Sequence, residues 1–253
     1  MTSTQRKATS LRVGMLLVPP VQLLDASAID VFGMLTPEYL KACGLPQPLL
    51  DLAIPVSLHY IGQSGPGTHA PMTADATLPI TDSLTSPEVQ PGRLDVLLIP
   101  GPDPSVVPDA AVVDFIHAHK KKGETDFLVI CTGSLTAGYA GLLDHKRATG
   151  PRGLEPKLKE KFPAANFVDR RWERDGRLWT SGGITNGLDL TAAYLHHKVQ
   201  KELADLVCAM ADIGDRSQDY ESGKAGNTIW WIWLVLRSLV KGKPKSNPGK
   251  KES

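Results

Sequence analysis

Three short apolar runs stop abruptly at residues that end strands, and this pattern leaves few folds open. Leu11-Arg-Val-Gly-Met-Leu-Leu-Val18 stops at Pro19-Pro20, Leu94-Asp-Val-Leu-Leu-Ile-Pro100 at Gly101-Pro102, and Phe127-Leu-Val-Ile130 at Cys131-Thr-Gly-Ser134. Near-continuous apolar strands belong to a parallel sheet covered on both faces. Helical patterns follow over Asp109–Lys122, Leu154–Phe162, Asn186–Val199 and Lys201–Met210, each bounded by caps or breakers. Val56–Gly62 reads as a further strand and Ala70–Leu78 as a short hairpin or extended excursion. Phe167–Trp172 is expected to pair with Leu178–Thr180 across Arg174-Asp-Gly176. The expected architecture is α/β: one doubly wound, mostly parallel sheet with helices on both faces over residues 11–215.

The corner at Cys131 carries the most chemistry. A strand running into Cys-Thr-Gly-Ser and a helix of small residues places the thiol at a helix N-terminus, where unpaired N–H groups favour the thiolate. Such a turn strains the cysteine and lifts its sulfur above the sheet edge. The competing reading is a buried small hydrophobe. Gly138–Leu143 is expected to continue the elbow helix. The first strand's end brings Asp25 to the same carboxyl edge, where open α/β sheets bind ligands. Asp25 reads either as a helix N-cap or as a carboxylate poised over the thiol.

Other residues exclude more than they suggest. Cys43, Cys131 and Cys208 have neither pairing nor metal-ligand spacing, so no metal is expected and a reducing compartment is. Met1–Ser10 is polar with no apolar leader core, and a cytoplasmic setting is expected. His59 and His69 read as structural or solvent-facing, and His117 and His119, beside Lys120–Lys122, as a solvated face. The formal charge of +1 argues against nucleic acid as the main partner. From Arg237 onward the chain has six Lys/Arg and one acid, net +5, which leaves −4 for residues 1–236.

Five collinear motifs, Val21–Asp25, Leu94–Gly101, Val129–Gly133, Gly141–Thr149 and Thr180–Asp189, resemble the ThiJ/PfpI family of the class I glutamine amidotransferase-like superfamily. The resemblance spans residues 11–215 and is nearest the isonitrile hydratase branch. It implies a flavodoxin-like fold, a homodimer, a small-molecule substrate and no cofactor. It also implies Cys131 as nucleophile, Thr132 as its polar helper and backbone donor, and Asp25 as the acid/base carboxylate. Gly101, Pro102, Gly133 and Gly183 would border the substrate. Two departures matter. Gly150-Pro151-Arg152 stands where many relatives have a histidine, and Pro102 replaces a second glycine, removing one N–H from an oxyanion hole. Amide hydrolysis is therefore demoted. Arg152 reads as a fork for a substrate carboxylate or as a surface arginine in a turn. Trp172 and Trp179 read as core packing or as pocket walls.

The resulting expectation is a cofactor-free hydratase acting on a small electrophile such as an isonitrile. The rivals are a redox-sensing protein oxidised at Cys131, and a natural-product dehydration or cyclisation enzyme using Asp25 as base. The remaining stretch, residues 227–240, is an apolar helix with three tryptophans, too short to span a bilayer. It is expected to pack on protein, either on the domain or across a dimer interface; the alternative is an anchor at the membrane surface. Residues 1–10 and 241–253 are expected to be disordered tails.

Overall fold

Alternate residues of each inner strand enter different cores, which is why their sequences look apolar throughout. The computed structural model describes residues 7–221 and 223–240. The chain begins with β1 (Leu11–Leu17) and four short helices, α1 (Leu23–Ala26), α2 (Ala28–Gly33), α3 (Pro37–Ala42) and α4 (Gln47–Leu50). It continues through β2 (Val56–Gly62), β3 (His69–Pro71), β4 (Thr77–Pro79), β5 (Val96–Ile99), α5 (Ala110–Lys122), β6 (Asp126–Ile130) and α6 (Gly133–Tyr139). Then follow β7 (Arg147–Ala148), α7 (Glu155–Lys161), β8 (Asn166–Phe167), β9 (Trp172–Asp175), β10 (Leu178–Ser181), α8 (Asn186–Lys198), α9 (Lys201–Ala211) and α10 (Lys224–Val240).

The main sheet has the order β2-β1-β5-β6-β10-β9. All neighbours are parallel except β9, which runs antiparallel to β10. Val13, Met15, Val96, Leu98, Leu128 and Ile130 enter one core with Phe32, Leu190, Tyr194 and Leu203, from α2, α8 and α9. Leu16, Leu97, Ile99, Phe127 and Val129 enter the other with Ile116, Leu135 and Leu158, from α5, α6 and α7. This is the expected doubly wound α/β fold with helices on both faces. The amino end of β6 is pinned by Asp126, whose carboxylate accepts from Arg177 at 2.9 Å, the Tyr194 hydroxyl at 2.9 Å and Lys198 at 2.8 Å.

Four local expectations are corrected. The strand pairing with β10 is Trp172–Asp175, while Phe167 lies in β8 and pairs with β7, because the tight turn falls at Gly176, φ 66°. The elbow helix ends at Tyr139, four residues early: the chain turns at Gly141, φ 66°, where glycine has no Cβ penalty. His119 is fully buried, its Nε2 3.0 Å from the Val89 carbonyl and its Nδ1 3.0 Å from Thr125 Oγ1, and burial pushes the ring's pKa down. Residues 7 and 8 are tied down, Ala8 N–H donating to Lys198 O at 2.8 Å and Lys7 Nζ to His196 O at 2.9 Å. The rest of the expected tails, residues 1–6 and 241–253, lies outside the described residues.

The chain divides into two units, Met1–Asp219 and Tyr220–Ser253. The second contains α10, in which every residue from Ile229 to Leu236 is exposed. Among the described residues no helix is long and apolar enough to cross a membrane.

Candidate active site

The carboxyl ends of β1, β5 and β6 lie side by side, and the loops that leave them carry Asp25, Gly101 and Cys131. Cys131 has φ 55°, in the left-handed region that costs a side-chain-bearing residue about 1 kcal/mol or more. The surroundings hold it there. Its N–H donates to Ser181 O at 3.3 Å, continuing the β6–β10 ladder, while its carbonyl accepts from Ser134 N–H at 3.2 Å to start α6. Gly133 makes this corner possible, because a Cβ there would sit 2.3 Å from Ile99 O. Its role is close packing.

Asp25 is completely buried in the first turn of α1, but it caps no helix. Its Oδ2 accepts the Gly101 N–H at 2.9 Å, and Oδ1 has no partner of normal hydrogen-bond geometry. Burial raises this carboxyl to about 7, against the downward pull of the Gly101 N–H and the facing Cys131 thiol. The N-cap reading of Asp25 is thereby set aside.

The thiol departs from expectation. Burial, and then the charge of Asp25, push Cys131 up to about 11, against the N–H groups of Ile184 and Thr132. The helix terminus predicts a depressed pKa, with Asp25 opposing it if ionised; desolvation, joined by that carboxylate, outweighs the donors. Thr132 meets the sulfur with both its backbone N–H and its hydroxyl, each opposing the rise. The hydroxyl also donates to the Pro102 carbonyl at 2.6 Å.

A cavity of about 220 Å³ opens over the thiol, walled by Pro20, Gln22, Pro102, Pro104, Thr132 and Ile184. A larger hollow of about 430 Å³ lies beside His196, Asp205 and Cys208. There Lys201 binds Asp205, and burial pushes the Cys208 thiol up to about 11. That hollow brings no buried acid to a strained nucleophile, so the smaller cavity is the candidate site.

Pro102 lines the cavity. Gly101 lies behind the wall: a Cβ there would meet Thr132 Oγ1 at 2.3 Å and Asp25 Oδ2 at 2.5 Å. Gly101→Ala is therefore expected to displace the carboxylate, destabilise the fold by about 1–3 kcal/mol and lower turnover, as read by denaturant unfolding and initial rates. Gly183 precedes Ile184 but does not line the cavity. Arg152 does not line it either; its fork grips Asp169, with Nε to Oδ1 at 2.7 Å and Nη2 to Oδ2 at 2.8 Å. The carboxylate-reading role is corrected on that ground: a protein carboxylate already occupies the fork. Trp172 and Trp179 stack on each other at 6.1 Å, away from the cavity, and Trp179 packs edge-on against Tyr194. They are core. Among the described residues no cluster of His, Cys, Asp and Glu could hold a metal.

Residues 55–197 match the DJ-1/PfpI family. This chain belongs to that family. The DJ-1/PfpI match begins just before β2 and includes the Cys131 corner. The chain is 32% identical over 204 residues to isonitrile hydratase of Pseudomonas putida, covering 78% of this chain and 76% of that protein. In structure it resembles a ThiJ/PfpI family protein from Pseudomonas syringae, with TM-score 0.67, 20% identity, and 90% and 87% of the two chains covered. It also resembles DJ-1beta of Drosophila melanogaster, with TM-score 0.61, 18% identity, and 81% and 98% covered. Within this DJ-1/PfpI site, sequence reasoning missed Ile184, Gln22 and Thr73. Ile184 acts through its backbone N–H, so its side chain gave no signal, although it lies inside the quoted Thr180–Asp189 motif. Thr73 orders the loop after β1 by accepting the Leu23 N–H at 3.0 Å.

Proposed function

We propose that this chain hydrates small isonitriles to N-substituted formamides, with Cys131 as nucleophile and Asp25 as proton carrier. One observation carries the reading: a buried carboxyl raised to about 7 faces a strained cysteine inside a small cavity. The similarity to an isonitrile hydratase supports the choice of substrate.

The thiol proton passes to Asp25 as sulfur attacks the terminal isonitrile carbon, and Asp25 returns that proton to the same carbon. This leaves a thioimidate, R–N=CH–S–Cys131. Water adds to the carbon, giving one proton to Asp25, which hands it to nitrogen. The C–S bond then breaks, the sulfur recovers a proton from the hydroxyl through Asp25, and R–NH–CHO leaves. Atoms balance as isonitrile plus water, and no cofactor enters. Amide hydrolysis fits less well, since the Gly101 N–H is engaged by Asp25 and Pro102 has none, so this loop offers no oxyanion donors. The raised thiol also disfavours redox sensing, because oxidation proceeds through the thiolate. The family resemblance implies a homodimer and an intracellular setting, and the chemistry needs neither, because every group named belongs to one chain.

The test is to follow formamide formation from a small alkyl isonitrile by NMR and to look for the thioimidate on Cys131 by mass spectrometry. Absence of formamide sinks the reading. The pH profile adds a second check. The Asp25–Cys131 pair carries two protons below about 7 and one between about 7 and about 11. The one-proton pair is the reactive form, so kcat/KM is expected to rise with pH through about 7 and then level off.

A further inference from the structure

Helix α10 presents eight consecutive apolar residues, Ile229 to Leu236, and all eight are exposed, from 38% at Leu234 to 66% at Ile229. Eight residues make more than two turns, so the apolar collar runs right round the helix. Soluble surfaces rarely leave such a patch uncovered. A partner helix from a second copy would cover one stripe of the collar, whereas the headgroup layer takes up tryptophans and aliphatic side chains over a wider arc. The collar is about 12 Å long, well short of a ~30 Å hydrocarbon core, so it fits the interfacial layer and not the span. Its composition fits that layer too. Trp230, Trp231 and Trp233 are of the type that gathers at headgroup level, and the Arg237 guanidinium lies 4.9 Å from the Trp233 ring centre, charge beside apolar face. Immediately after the collar the sequence carries six Lys/Arg and one acid, while residues 1–236 are net negative. The net positive charge thus lies at the end that bears the tryptophans, which is the complement of an anionic lipid surface.

We propose that α10 and the basic residues following it dock this chain on an anionic membrane surface, with the Ile229–Leu236 collar immersed at headgroup depth. The docking is independent of the hydratase reading.

Co-sedimentation of the full chain with vesicles tests it. Binding to phosphatidylcholine–phosphatidylserine vesicles is expected to exceed binding to phosphatidylcholine alone by about tenfold, and the excess should vanish at about 1 M salt. W230A/W231A/W233A should weaken binding to both vesicle types. K243E/K245E should remove only the anionic preference, and this variant leaves the apolar collar untouched. Unchanged thermal unfolding of both variants would show that the α/β unit is intact. Two results overturn the proposal: no vesicle binding by the wild-type chain, or a lipid-free dimer that the tryptophan substitutions convert to monomer, which would assign the collar to a second copy.

Discussion

Cys131→Ala is expected to lower formamide formation by about 10³-fold or more, the scale seen when an enzyme loses its covalent nucleophile. The fold should survive, because the strained backbone is held by Ser181 O and Ser134 N–H and not by the sulfur. Alanine at φ 55° still carries the left-handed penalty, whereas Cys131→Gly should relieve it and stabilise the protein by about 1 kcal/mol while being equally inactive. Initial rates together with denaturant midpoints of both variants check this. A fully active alanine variant would remove the thiol from the chemistry and favour the rival in which Asp25 alone serves as base for a dehydration or cyclisation.

Asp25→Asn is expected to cut turnover by about 10²–10⁴-fold, because it removes the buried carboxyl that carries a proton between sulfur, carbon and nitrogen in the proposed mechanism. Its effect on stability should have the opposite sign. The folded carboxyl stands at about 7 against 3.8 in an ordinary setting. A raised folded value means that the favourable contribution is present below 3.8 and is lost as pH climbs through 7, where a buried charge must be carried. Asparagine carries none. The variant should therefore gain stability over the wild type between pH 4 and 7, reaching about 4 kcal/mol and then staying level. Urea midpoints across that range measure it. A variant that is inactive but no more stable at neutral pH would mean that the carboxyl is not held in its raised state.

Asp25, Gly101 and Cys131 were legible because each follows an apolar run stopped by a residue that breaks strands, and parallel strands leave such stops at one edge. What stayed hidden depends on contacts between distant segments. Nothing in Ala110–Lys122 reveals that Val89 and Thr125 receive the His119 ring, so lysine neighbours suggested solvent where there is core. Arg152 reads as an available fork until Asp169, 17 residues on, is seen to close it. The thiol was misjudged for the same reason. The helix terminus is a local feature visible in sequence, while the desolvation that outweighs it is a property of the assembled fold.

The juxtaposition of three strand ends also bears on how the protein gains its activity during folding. β1 pairs with β5 only after the chain has passed through four helices and three intervening strands, and the thiol arrives one strand later still. Pairings so remote in sequence are closed late, since each must overcome the entropy of a long loop. The acid and the nucleophile are therefore expected to meet late in sheet assembly. A partly folded chain with β1 undocked keeps its thiol but lacks its proton carrier, so the recovery of catalysis on refolding tracks completion of the sheet and not the earlier formation of helices.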